Sequence, residues 1–155
     1  NIIRDEYLWD MIRVKGGAYT ANCRFSRTGN VTFFSFRDPN LVKTLDIFEK
    51  TSEYLENFST ENMDKFIVGA IGDLDKPLTY GMKCDRTLSM YFSSITFDDL
   101  QREREEILSV TEDDIKGFSA LVRSLFAEKY YCVLGNEGEI KRNKAIFNGM
   151  VSVYK

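Results

Sequence analysis

The 155-residue sequence contains no histidine. A Ser-His-Asp triad, a Cys-His pair and the histidine-bearing zinc motifs are therefore excluded within this chain. Any hydrolytic chemistry it serves must draw its reaction centre from another segment. Cysteine is scarce as well: Cys23, Cys84 and Cys132 are odd in number, far apart and without C-x-x-C spacing. They read as reduced thiols of an intracellular protein, which disfavours structural zinc; the expected setting is a bacterial cytoplasm or, in a eukaryote, an organelle matrix. No apolar run approaches the roughly 20 residues of a membrane span, and no basic-then-apolar leader opens the sequence. Nor is there a basic footprint. The formal net charge is -3 and the acidic residues are scattered, so neither nucleic acid nor a membrane is an expected partner.

What is present is a folding composition. Apolar residues make up 43% and charged residues 29%, with 12 Phe and 8 Tyr, enough to drive a globular core rather than a disordered chain. The length fits a single domain over residues 1–155, burying roughly 70% of its unfolded surface. Because "NIIRDEYLWDMIR" enters a helix abruptly, without a start signal, the expectation is a piece cut from a longer multidomain chain.

Ile3, Tyr7, Leu8, Met11 and Ile12 recur at helical spacing over residues 2–14. Gly16 and Gly17 end that helix, since glycine accepts the left-handed closing conformation. "AYTANCRFS" and "VTFFSF" are two β-rich runs joined by "RTGN", which suits a tight hairpin turn. The second run is apolar on nearly both faces, which predicts a strand covered on both sides. Pro39 breaks it, and Asn40 is positioned to cap a helix marked by Leu41, Leu45, Phe48 and Leu55. Ser59 or Thr60 caps the next helix, whose apolar face is Met63, Phe66, Ile67, Ala70, Ile71 and Leu74. Gly69 and Gly72 inside it suggest close packing on a neighbour.

A third helix carries Leu88, Tyr91, Phe92 and Ile95. "TFDD" and "TEDD" then match the capping-box spacing and start two more, the second with a stripe of Ile115, Phe118, Val122, Leu125 and Phe126. "YYCVL" reads as a late strand returning to the sheet, followed by a charged helix at 137–145 and a further strand, "MVSVY". The fold class is α+β: an antiparallel sheet with helices packed mainly on one face. The acid clusters Asp98–Asp99 and Glu112–Asp114 resemble metal ligands, but each lies at a helix start, where the dipole favours negative charge. "QREREE" mixes both signs within two turns and reads as a solvated face with local ion pairs.

"RVKGGAY", residues 13–19, sits where the helical pattern gives way to strand. The plain reading is a helix end whose Arg13 and Lys15 suit the dipole, with Tyr19 on the strand face of Ala21, Cys23 and Phe25. The functional reading is a pair of hydrogen-bond donors on either side of a glycine pivot, at the kind of junction that hosts binding residues.

The stretches "YLWDMIRVKGGAY", "FSFRDPNL", "IGDLDKP" and "VLGN", in this order along nearly the whole chain, resemble the C-terminal half of a pitrilysin-like zinc metallopeptidase. Within those inverted-motif enzymes they are most similar to the presequence protease and falcilysin group. The resemblance implies a half-domain of the pitrilysin and mitochondrial processing peptidase type, belonging to a clamshell enzyme made of two related halves. The N-terminal half would be the partner and carry H-x-x-E-H, with zinc held there and the motif Glu as general base for water. The C-terminal half would need no cofactor of its own. It would close over unstructured peptides and present an Arg and a Tyr, six residues apart, that bind the substrate near the scissile bond. Here these fall on Arg13, for substrate binding, and Tyr19, for substrate binding and catalysis, with Gly16 and Gly17 letting the peptide backbone approach. Thr20 stands where the family often has Gly, and Phe36 where Tyr is common. The alternative is a catalytically inactive scaffold or protein-interaction domain of the same fold.

Overall fold

A computed structural model describes residues 1–153 and shows an α+β chain: one antiparallel hairpin among helices. It divides into two compact units, one made of residues 2–56 with the chain from Gly117 onward, the other of residues 57–116 together with Asn1.

The first unit opens with a helix over Ile3–Val14, wound as a π-helix rather than the ordinary α form. The wider turn is visible at its end, where the Lys15 amide donates to the Asp10 carbonyl, five residues back, at 2.9 Å. Its buried residues are Ile3, Leu8 and Ile12, spaced five and four apart. Tyr7 instead lies half-buried at the flank, stacked on Tyr54 with ring centroids 4.7 Å apart and donating to the Ile47 carbonyl. Burial pushes the Tyr54 phenol up to about 12, with the charge of Glu6 adding to it.

Strand β1 (Thr20–Phe25) pairs antiparallel with β2 (Val31–Phe36), with Thr20 opposite Phe36 and Phe25 opposite Val31. The turn between them closes through Gly29, whose φ of 82° few other residues adopt. Opposed residues share a face. Ala21 and Cys23 with Ser35 and Phe33 form the inner face, where the Phe33 ring meets Phe48 at 5.5 Å and Phe126 at 5.1 Å. Helices α1 (Leu41–Glu49), α2 (Thr51–Glu56) and α6 (Glu112–Ala127) supply Ile47, Phe48, Leu55 and Val122 to this core. One helix was expected from Leu41 to Leu55; the chain breaks it after Glu49.

The outer face of the hairpin is open. Phe34 and Phe36 are 42% and 54% exposed, so β2 is not covered on both sides as its apolar run suggested. "YYCVL" does not join the sheet, which has two strands. Tyr131 is tethered instead by its hydroxyl to Glu49 Oε1 at 2.5 Å, and the segment lines a cavity of about 860 Å³ that also runs along all of β2. A short helix α7 (Glu137–Arg142) follows, capped by the Asn136 side chain. Of "MVSVY", residues 150–153 are irregular, and Tyr154 lies outside the described residues.

The second unit holds α3 (Met63–Leu74), α4 (Tyr80–Phe92) and α5 (Phe97–Ser109), in which α3 packs on α5. The six predicted apolar positions of α3 are its half-buried ones, but no residue of the three helices is fully buried. Thr60 does not cap α3: its hydroxyl accepts from the Asn62 amide, just before the helix begins. Asp75 at the end of α3 pairs with Arg104 of α5. Both capping boxes form. Thr96 accepts from the Asp99 amide while Asp99 accepts from the Thr96 amide, and Thr111 and Asp114 repeat the arrangement at α6. Gly69 and Gly72 meet nothing: a Cβ at either would stand in open space, contrary to the close packing expected of them.

Two outcomes follow. Gly69→Ala should raise helix stability by about 1 kcal/mol, read as an increased Tm, whereas Gly16→Ala drives a Cβ into the Ile12 carbonyl and should lower it; a fall in Tm for Gly69→Ala would mean that a neighbour does approach it. Hydrogen bonds from the Thr111 hydroxyl and amide hold the Asp114 carboxyl below its ordinary value of 3.8. With a depressed folded value, the stabilisation is complete above 3.8 and is lost as pH falls through the lowered one. Thr111→Val should therefore move the Asp114 NMR titration midpoint up toward 3.8, and an unmoved midpoint would contradict this origin.

Candidate functional site

The glycine bend is a helix closure of a specific kind. The Gly17 amide donates to the Arg13 carbonyl at 3.0 Å and the Ala18 amide to the Ile12 carbonyl at 3.1 Å, with Gly17 left-handed at φ 78°. This is a Schellman-like closure widened by one residue, its bonds reaching six and four residues back where that motif reaches five and three, in keeping with the π-winding; it satisfies carbonyls left over at the helix end. Arg13, Gly16 and Gly17 are thus joined through the backbone, and each glycine is required for its own reason: Gly16 by contact with the Ile12 carbonyl, Gly17 by its dihedral.

The bend is held from outside by the segment after β2. Asn40 stands at the N-terminus of α1, where the sequence suggests a capping role, yet its side chain makes no capping bond. Its Nδ2 donates to the Gly16 carbonyl instead. Asp38 organises the turn: Oδ1 accepts from the Asn40 amide at 2.9 Å and Oδ2 from the Thr44 hydroxyl at 2.6 Å. The Tyr19 amide donates to the Phe36 carbonyl at 3.1 Å, so the two quoted stretches, "RVKGGAY" and "FSFRDPN", clasp each other.

That clasp throws Tyr19 outward. Its neighbours Ala18 and Ala21 are 3% and 1% exposed, whereas Tyr19 is 63% exposed. It does not share the buried face of Ala21 and Cys23, because the chain bends before β1 begins at Thr20. Its ring meets Phe36 edge-on at 6.2 Å, and the cation over it is Arg37, 5.9 Å from the ring centroid. Arg13 lies elsewhere, with its guanidinium 3.8 Å above the Trp9 ring. The structure therefore brings Arg13, Gly16 and Gly17 together in one backbone closure and sets Tyr19 beside Phe36 and Arg37. No hydrogen bond or ring contact links the Arg13 and Tyr19 side chains among the described residues.

Arg37 had no place in the sequence reading. It has φ 49°, a conformation that costs a non-glycine residue energy, and only its position before Asp-Pro hints at an unusual backbone. Chemically the arrangement offers an exposed phenol, a stacked guanidinium and a second guanidinium on an open aromatic face, which are donors for carbonyl or anionic oxygens. It does not offer a metal centre: among the described residues no group of three His, Cys, Asp or Glu side chains converges. No helix among them is long and apolar enough to cross a membrane.

A family profile described as PreP C-terminal domain matches residues 1–134. The chain is 43% identical over 157 residues, its full length, to protein HypA of Clostridium perfringens. It is 39% identical over 123 residues, 77% of the chain, to presequence protease 1, chloroplastic/mitochondrial, of Arabidopsis thaliana. To the mitochondrial presequence protease of Xenopus laevis it is 31% identical over 120 residues, 76% of the chain. It spans 16% of the length of HypA and 11% of each of the other two. The clasp sits wholly inside the matched region, and the chain belongs to the PreP C-terminal domain family.

Proposed function

We propose that this chain is the zinc-free C-terminal part of a zinc-dependent oligopeptidase that degrades unstructured peptides, with Tyr19 as oxyanion donor and Arg13 as a substrate-binding residue. Two proteins similar to it are named presequence proteases. The observation that carries the reading is the exposure of the Tyr19 ring between two buried alanines. A tyrosine in an ordinary strand would pack with its face; this one is turned out by a closure that needs two glycines and held there by a second turn only two dozen residues on, through Asn40 and Gly16.

Peptide hydrolysis develops negative charge on the carbonyl oxygen, and a fixed phenol O–H aimed at it lowers the barrier more than it stabilises the ground state. Arg13 offers a planar fork of donors suited to a peptide carbonyl. Leaving the Trp9 face to do so costs about 0.5–1 kcal/mol at an exposed site, which substrate contacts can offset. Zinc, and the water it would activate, belongs in this reading to the N-terminal half of the same polypeptide, since this chain has no histidine. Donors on one half and metal on the other would make turnover depend on closure, favouring peptides small and flexible enough to be enclosed. The setting is a reducing compartment, either a bacterial cytoplasm or an organelle matrix.

In the longer polypeptide that carries this chain, Tyr19→Phe should lower kcat by about two to three powers of ten with the fold intact, because only a hydroxyl donor is removed. Steady-state cleavage of a quenched-fluorescent peptide, with circular dichroism as the folding control, measures it. Unchanged turnover removes Tyr19 from the chemistry, and a polypeptide without peptidase activity in either form favours the scaffold reading.

A further inference from the structure

The outer face of the hairpin bears no acidic side chain. It carries Thr20, Asn22 and Arg24 on β1, opposite Phe36, Phe34 and Thr32 on β2. In a chain of net charge -3, this is a cationic and aromatic surface, and Arg37 stands at its Tyr19 end. The Arg37 guanidinium lies 5.5 Å from the Phe36 ring centroid and 5.9 Å from that of Tyr19. Both distances lie within cation–π reach.

The acid next to it in sequence and the glutamate that shares its cavity are already engaged. Asp38, the next residue, accepts through both oxygens from the Asn40 amide and the Thr44 hydroxyl. Glu139, which lines the same cavity as Arg37, is paired with Arg142 at 2.7 Å. Arg37 is exposed and has no carboxylate partner among the described residues. A guanidinium held over exposed rings by a left-handed backbone, with its neighbouring acids turned away, is arranged to take an anion from outside.

We propose that Arg37, with the Phe36 ring as platform, binds a carboxylate of the peptide substrate beside the position served by Tyr19, and so sets a preference for an acidic group there. The inference rests on the peptidase reading of Tyr19 and adds to it a specificity-determining residue. The carboxylate has two sources, an Asp or Glu side chain within the peptide and the peptide's own C-terminus. Shared recognition follows from geometry, since a guanidinium accommodates either group bidentately.

The test uses the longer polypeptide and matched quenched-fluorescent peptides that differ at one position, Glu against Gln, walked across the cleavage site, with a second set ending in carboxylate or carboxamide. Expected is a preference of about tenfold in kcat/KM for the acidic member at one position, the size of a charge-assisted hydrogen bond. Arg37→Gln should bring that ratio to about one while leaving kcat/KM for the neutral member within about twofold, and Arg37→Lys should keep part of the preference. The position at which the preference appears separates an internal acid from the terminal carboxylate. A wild-type ratio near one at every position, or an Arg37→Gln variant that loses both members equally, overturns the proposal. Fluorescence anisotropy of the same peptides with the Tyr19→Phe variant keeps the two readings apart: acid-selective binding lost on adding Arg37→Gln supports Arg37 even if Tyr19 proves unimportant for turnover, and equal binding of acid and amide rejects it.

Discussion

A single amide side chain ties the two characteristic stretches together. Asn40 gives up the capping bond its position invites and donates instead to the Gly16 carbonyl, 24 residues earlier. A buried or half-buried carbonyl at a helix end needs a donor, and the π-winding of the first helix with its glycine closure leaves this one turned toward the start of α1. With Asp38 fixing the Asn40 amide and the Tyr19 amide bonded to Phe36, the bend has little freedom left. What it presents is the phenol of Tyr19 on one side and a column of buried residues, Leu8, Ile12, Ala18 and Ala21, on the other.

The same constraint explains why the site is assembled from backbone rather than from a side-chain network. No carboxylate orients Tyr19, and no metal ligand lies beside it among the described residues. Orientation comes from the glycine closure of the helix, from the Tyr19 amide bonded to the Phe36 carbonyl and from the Phe36 edge. Backbone closures are stiff and cannot be repacked as a side-chain shell can, which would suit the role proposed for Tyr19. The cavity of about 860 Å³ beside β2 and the open outer face show how much of the hairpin is left uncovered by this chain.

Much of this was legible in residue patterns, and the failures are instructive. The hairpin, both capping boxes and the six-residue stripe of α3 follow from local rules that nothing overrides. The π-winding was not legible, because Ile3, Leu8 and Ile12 fit a helical stripe in either form and only the hydrogen bonds distinguish them. Asn40 looked like a cap because position and residue type agree; its recruitment by Gly16 is a tertiary contact without local signature. "YYCVL" has strand composition, yet composition cannot provide a partner, and it stands apart from β2. Arg13 and Tyr19 were singled out as a pair, but Arg13 lies over Trp9 and the guanidinium at the Tyr19 ring is Arg37, whose backbone conformation no residue-type rule would assign to arginine.

If Tyr19 has the proposed role, the Asn40 clasp holds it in place for that role, and a double-mutant cycle tests this most directly. Asn40→Asp keeps shape and removes the donor. If the clasp acts through Tyr19, Asn40→Asp in the longer polypeptide lowers kcat about tenfold or more by misplacing the phenol, and adds almost nothing on a Tyr19→Phe background. Full multiplication of the two effects, or an Asn40→Asp enzyme with unchanged turnover, would contradict the account.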